Sequence, residues 1–120
     1  MAFDPAERHR LYHDAIERRD FAEIRNLFAE DAVYASPGTG GVTEGRDAIL
    51  AAFRAYFETF ADQVASDSLV EALSPFSSRA LWSLRATNGA TGAVVERTGE
   101  EIVTFDDDGA IVRIAVEDRR

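Results

Sequence analysis

Tyr12 and Glu101 are two side chains of this 120-residue chain whose types can stabilise an oxyanion or move a proton. Tyr12 lies in the run Leu11, Tyr12, Ala15, Ile16, whose i, i+1, i+4, i+5 spacing marks the buried face of a helix, so its phenol points inward. In a filled core that hydroxyl finds a fixed partner. In a hollow one it can donate to a substrate carbonyl or enolate oxygen. Glu101 alternates in step with Arg97, Val103 and Phe105 along a strand-like segment, which turns a carboxyl toward the same side as two apolar residues. Burial there would raise its pKa and fit it for acid or base work, whereas an ion pair with Arg97 would lower the pKa and make the residue structural. A bulge would reverse the parity, leaving Glu101 in water and turning Glu100 inward.

His9, His13 and Glu17 have the i, i+4 spacing that could present metal ligands from one helical face. They flank the Leu11 to Ala15 stripe and no further His exists to complete a common site, so a solvated face and no metal centre are expected. His13, beside Tyr12, could reach a pocket rim as an acid or base. Trp82, Leu84 and Ala86 share one face of a strand, suited to core packing, a pocket wall or an interface between copies. Asp106-Asp107-Asp108-Gly109 lacks the later Glu of a calcium loop and reads as a hairpin turn.

These residues need elements to position them. Asp4-Pro5-Ala6-Glu7 has an N-cap, a first-turn proline and a capping-box glutamate, and opens a helix to about Arg19. Asp20-Phe21-Ala22-Glu23 repeats the pattern and starts a second helix, with Phe21, Ile24, Leu27 and Phe28 on one side, so the two form a hairpin. Ala32 to Ser36 reads as a short strand with Tyr34 and Ser36 on one face, ended by Pro37-Gly38-Thr39-Gly40-Gly41, a loop suited to a pocket mouth. A third helix follows from about Arg46 to Ala61, carrying Ile49, Leu50, Phe53, Phe57 and Phe60 as a wide apolar stripe. Thereafter the period is two, over Ser68 to Leu73, Arg79 to Asn88, Ala93 to Phe105 and Ala110 to Asp118, which predicts an antiparallel sheet. Asn88-Gly89 and Asp108-Gly109 supply the positive-φ residues of its turns. The class is α+β in the order α-α-β-α-β-β-β-β, a single domain over 1–120.

Composition bounds the partners. A net charge of −9 disfavours nucleic acid and anionic membranes, and the absence of cysteine excludes disulfides, thiol catalysis and cysteine-ligated zinc. No apolar run is long enough to span a bilayer, and Met1-Ala2-Phe3-Asp4-Pro5 lacks signal-peptide character, so a cytoplasmic protein is expected. All 13 basic residues are Arg, which suits a GC-rich bacterial genome.

The ordered combination of Asp20-Phe21, Leu27-Phe28-Ala29-Glu30-Asp31-Ala32-Val33-Tyr34, Glu44-Gly45-Arg46-Asp47-Ala48-Ile49 and the closing Phe105-x-x-x-Gly109-x-Ile111 resembles the nuclear-transport-factor-2-like superfamily, in particular its SnoaL-like and ketosteroid-isomerase-like branch. The resemblance implies a cone-shaped α+β roll, three N-terminal helices on the concave face of a curved, mainly antiparallel sheet, a pocket between them, and homodimers formed through the sheet's other face. Ketosteroid isomerases use an Asp base at the end of the first strand and an oxyanion hole made of a first-helix Tyr and a protonated carboxylic acid on a late strand. Carried over, those positions fall on Ser36, Tyr12 and Glu101. A Ser hydroxyl cannot take a carbon-bound proton without a neighbouring base, so the ordinary isomerisation is not expected. The expectation is a pocket for a small, largely apolar organic ligand. Its catalytic version uses Tyr12 and Glu101 without cofactor for isomerisation, dehydration or cyclisation, with Tyr34, Ser36, Phe57, Trp82 and Val103 shaping the cavity. The alternative is a non-catalytic binding or dimerisation module of the same fold.

Overall fold

The structure, a computed structural model, describes residues 3–37 and 40–119. Met1 and Ala2, part of the N-terminal reading, and Gly38 and Thr39 of the expected mouth loop lie outside the described residues. Helices α1 (Pro5–Glu17), α2 (Phe21–Leu27) and α3 (Arg46–Thr59) pack on a six-stranded sheet of β1 (Phe28–Ser36), β2 (Gly41–Glu44), β3 (Val64–Ser74), β4 (Ser77–Thr87), β5 (Val94–Phe105) and β6 (Ile111–Arg119).

Both N-terminal caps form as their side chains dictate. Asp4 accepts from Glu7 N and Asp20 from Glu23 N, each at 3.1 Å. The two caps start α1 and α2 and fix the bend between them. Along α1 the buried row is Pro5, His9, Tyr12 and Ala15. These positions recur near the 3.6-residue period, and the row takes in His9 while leaving Leu11 exposed. The expectation of a Leu11-led stripe with a solvated His9 is therefore corrected: the helix is rotated by one residue's arc.

The sheet runs β2-β1-β6-β5-β4-β3. The expected element order stands, with one short strand added, β2, in the stretch between the mouth loop and α3. Every pairing is antiparallel except β1 with β6, because the chain returns to the first strand only after the long β3-to-β6 meander. β1 begins at Phe28, directly after α2, four residues earlier than the Ala32 start expected from alternation alone. Register breaks after Asp67, after Ala72 and after Thr104 bend the strands around the helices. The Asp108-Gly109 turn forms as expected: Gly109 has φ 83°, and Asp106 Oδ1 accepts from Asp108 N and Ala110 N at 2.9 Å. Between β4 and β5 the positive φ falls on Gly92 rather than Gly89, because the loop is longer than a two-residue hairpin and Asn88 Oδ1 ties down Ala90 N and Thr91 N.

The core lies between the helices and the inner face of the sheet, centred on Ile24, Ile49, Phe53, Val103, Ile111 and Ile114. Alternation along β4 and β5 places Ser78, Ala80, Trp82, Arg97, Gly99, Glu101 and Val103 on this inner face. Arg79, Leu81, Glu100 and Ile102 lie on the outer one. Parity at Glu101 is thus kept, and Glu100 bonds outward to Arg79 and Arg119.

Candidate active site

Glu101 lies under helix α1 and is nearly buried, with its side chain 8% exposed. Its Oε1 accepts from His9 Nε2 at 2.7 Å and from His13 Nε2 at 2.5 Å. The histidines are one helical turn apart, so they reach the same carboxylate from successive levels of α1. Ala80, fully buried, pairs with Glu101 across the β4–β5 ladder and offers only a methyl group beside the carboxyl. The pairing with Arg97 left open by the sequence does not form: Arg97 bonds Asp118 instead, at 2.5 and 3.2 Å.

Each histidine is held from behind. His9 Nδ1 faces Ser78 Oγ at 2.9 Å, and the Ser78 hydroxyl is also 3.2 Å from the Glu71 carbonyl. Its one hydrogen can turn to either acceptor. His13 Nδ1 faces Asp67 Oδ2 at 2.7 Å. Because both ring nitrogens of His13 point at carboxylates, which only accept when ionised, the ring carries both protons and is an imidazolium. Burial opposes that charge, but Glu101 and Asp67 outweigh it and raise the His13 pKa to about 10. Burial likewise pushes Glu101 up, and the two histidines outweigh it, holding the carboxyl down at about 2.

Tyr12 sits one position before His13, 2% exposed, its ring edge-on to Phe28. Burial, then the Glu101 charge, then Tyr34 push its phenol well above the ordinary range. It therefore stays a donor. Burial raises Tyr34 as well, against a bond from Ser36 that works the other way.

These groups form one wall of a cavity of about 140 Å³ lined by Tyr12, His13, Tyr34, Ser36, Phe57, Trp82 and Glu101 among others. Of the expected pocket residues, six are brought together here. Val103 is not: two residues past Glu101 on β5 it is fully buried in the hydrophobic core with Ile111, Ile114 and Phe105. The sequence reading did not single out Asp67, Ser78, Tyr56 or Gln63. Asp67 and Ser78 complete the histidine network, and Tyr56 donates to Gln63 Oε1 on the opposite wall. His9 and Tyr12 are three residues apart, hence on one helical face, which is the pattern that places His9 inside once Tyr12 is placed there.

Glu17 takes no part in the cluster and accepts from Ala65 N at 3.2 Å. His9, His13 and Glu101 do place one ligand atom each within 4.8 Å of the others. A tetrahedral divalent ion would hold its ligand atoms about 3.3 Å apart. The nitrogen-to-oxygen separations here are 2.5 and 2.7 Å, so the arrangement shares protons.

A family profile for the SnoaL-like domain matches residues 9–114. The chain belongs to that family. Solved structures with the same fold include a Mycobacterium tuberculosis protein in complex with estradiol-17β-hemisuccinate, 17% identical, covering 95% of this chain and 93% of that one at a TM-score of 0.82. The epoxide hydrolase/cyclase-like enzyme SalBIII, of pyran ring formation in the polyether salinomycin, is 19% identical over 94% of this chain and 88% of its own, with a TM-score of 0.81. A steroid delta-isomerase from Pseudomonas aeruginosa is 25% identical, covering 99% of this chain and 82% of that one at 0.72. No curated protein sequence matches the chain. Among the described residues of this SnoaL-like domain, no helix is long and apolar enough to cross a membrane.

Proposed function

We propose that this SnoaL-like protein binds a small, largely apolar organic molecule in the cavity and catalyses a proton transfer on it without cofactor, as an isomerase, dehydratase or cyclase. The observation that carries this reading is the protonated His13 clamped between Asp67 and Glu101 on the wall of an aromatic cavity, beside a phenol that stays protonated. A ligand oxygen seated against Tyr12 and His13 would meet two donors, the arrangement that stabilises a developing enolate or alkoxide. Drawing the His13 N–H toward that oxygen weakens its bond to Glu101, and the carboxylate becomes basic enough to take a proton from the adjacent carbon. Return of that proton from Glu101 to another carbon gives isomerisation. Delivery of the His13 proton to a leaving hydroxyl gives dehydration and water.

Deuterium exchange at the carbon next to the carbonyl of 2-cyclohexenone, followed by NMR, reports this step without the natural substrate. Tyr12→Phe is expected to slow it by roughly 10² to 10³ fold while leaving the circular dichroism unchanged. An unchanged exchange rate eliminates the oxyanion role. The second reading, a non-catalytic ligand-binding module, is favoured by Ser36, whose hydroxyl bonds Tyr34 where related isomerases have a base. It predicts saturable binding of the enone with no exchange above that of buffer.

The same proposal includes a homodimer through the outer face of the sheet, in a bacterial cytoplasm. Support comes from Leu69, 38% exposed, in register with Leu81 beside Ile102 on that face. Light scattering after gel filtration is expected to give twice the 13.2 kDa chain mass, and Leu81→Arg to return it to one. A wild-type monomer at micromolar concentration removes this part.

A further inference from the structure

We propose that the cavity is built for a ligand of a single six-membered ring with one oxygen acceptor, and that Trp82 is the residue that imposes this size. The inference rests on the pocket reading above and narrows it, since two of the structural neighbours are a steroid complex and a steroid isomerase.

At about 140 Å³ the cavity is close to the engineered apolar cavity of about 150 Å³ that takes up benzene, and because it opens to solvent on one side four fused rings would project beyond it. The walls are aromatic faces, Tyr34, Phe53, Tyr56, Phe57 and Trp82, suited to a flat or chair-like ring. The Tyr12, His13 and Glu101 side supplies the donors for one oxygen.

Trp82 ends the cavity because of what lies beneath it. It pairs across the ladder with Gly99, and a Cβ on Gly99 would lie 2.3 Å from the indole Cζ2 and 2.7 Å from Cε2. The indole therefore lies down on bare β5 backbone, in a place that only glycine leaves open. From the other side the Arg97 guanidinium is 5.4 Å from the ring and is anchored to Asp118. Among the described residues the indole N–H has no hydrogen-bond partner, so packing and the Arg97 guanidinium hold the ring. Beyond it, Ser66, Leu84 and Arg97 line both the cavity and a larger groove along the ends of β3, β4 and β5. Arg97, which lines both, stands at the boundary of the cavity, and Trp82 lies on the cavity side of it.

The test compares 2-cyclohexenone with the four-ring enone androst-4-ene-3,17-dione, by calorimetry or ligand-observed NMR, on wild type, Trp82→Ala and the milder Trp82→Phe. Wild type is expected to favour the single ring by at least roughly tenfold, and both variants to shift the ratio toward the steroid, Trp82→Ala by tenfold or more. Trp82→Phe keeps an aromatic cover on Gly99, so it reports even if the alanine variant fails to fold. Wild type that takes the steroid as tightly as the single ring overturns the size assignment and leaves the pocket reading standing, as does a ratio unmoved in the variants. Binding of neither compound overturns both.

Discussion

Replacing His13 by Gln is expected to slow enone exchange by roughly 10² to 10⁴ fold, the range for loss of a positioned acid or base. Gln keeps a side chain of similar reach, but it carries no proton to give and cannot hold Glu101 by charge. The pH profile separates a chemical from a structural role. His13 keeps its proton up to about pH 10, because Glu101 and Asp67 outweigh the cost of burying the charge. Wild-type activity should therefore persist through neutrality and decline as pH rises toward 10. A decline centred near pH 6.5 would overturn the clamping of His13 in its charged form by Glu101 and Asp67, and a Gln variant with the wild-type rate would remove His13 from the mechanism.

Replacing Glu101 by Ala is expected to destabilise the protein by about 3 kcal/mol near pH 6, measured by urea unfolding. That is the lower end of what breaking a buried ion pair costs, because His13 keeps Asp67 as a counter-charge. The pH dependence follows from the two displaced pKa values. Glu101, lowered from 4.5 to about 2, contributes stability that is present above pH 4.5 and lost as pH falls through 2. His13, raised from 6.5 to about 10, contributes stability that is present below pH 6.5 and lost as pH rises through 10. Both shifts describe one pair, so the contribution is counted once and is complete between about pH 4.5 and 6.5. The gap between wild type and Glu101→Ala should be widest in that window and narrow as the solution is made alkaline. A gap below about 1 kcal/mol, or one that widens toward pH 10, would mean that the pair does not hold charge.

The two experiments bear on different links. His13→Gln tests whether the cluster acts on a ligand, and Glu101→Ala tests whether the cluster exists as a buried ion pair. Loss of stability without loss of exchange would make the network a structural strut under α1 and favour the binding-module reading.

Local chemistry was readable residue by residue. Asp4 and Asp20 have few alternatives to capping before an apolar run, and both caps formed. Period-two alternation from β3 to β6 named the strands, and the parity of Glu101 correctly put it on the inner face. Tyr12 was legible as inward for the same kind of reason, since its neighbours repeat at helical spacing. The fold class followed from the order of these elements.

What tertiary structure decided were the relations between segments far apart in the chain. Whether α1 buries Leu11 or His9 depends on which face meets the sheet, and that is settled by a carboxylate 92 residues away. Asp67 carries no local mark of function; it becomes the second anchor of His13 only because β3 lies at the sheet edge beneath α1. Arg97 had two acidic partners open to it, Glu101 along its own strand and Asp118 across the ladder, and strand register gave it the latter. Even the size of the cavity turns on Trp82 meeting Gly99 across two strands. By itself the sequence determined the elements other than β2, the inward Tyr12 and the inward carboxyl, because these depend on contacts within a few residues. The proton-sharing cluster and the one-ring cavity depend on long-range register, which no local pattern encodes.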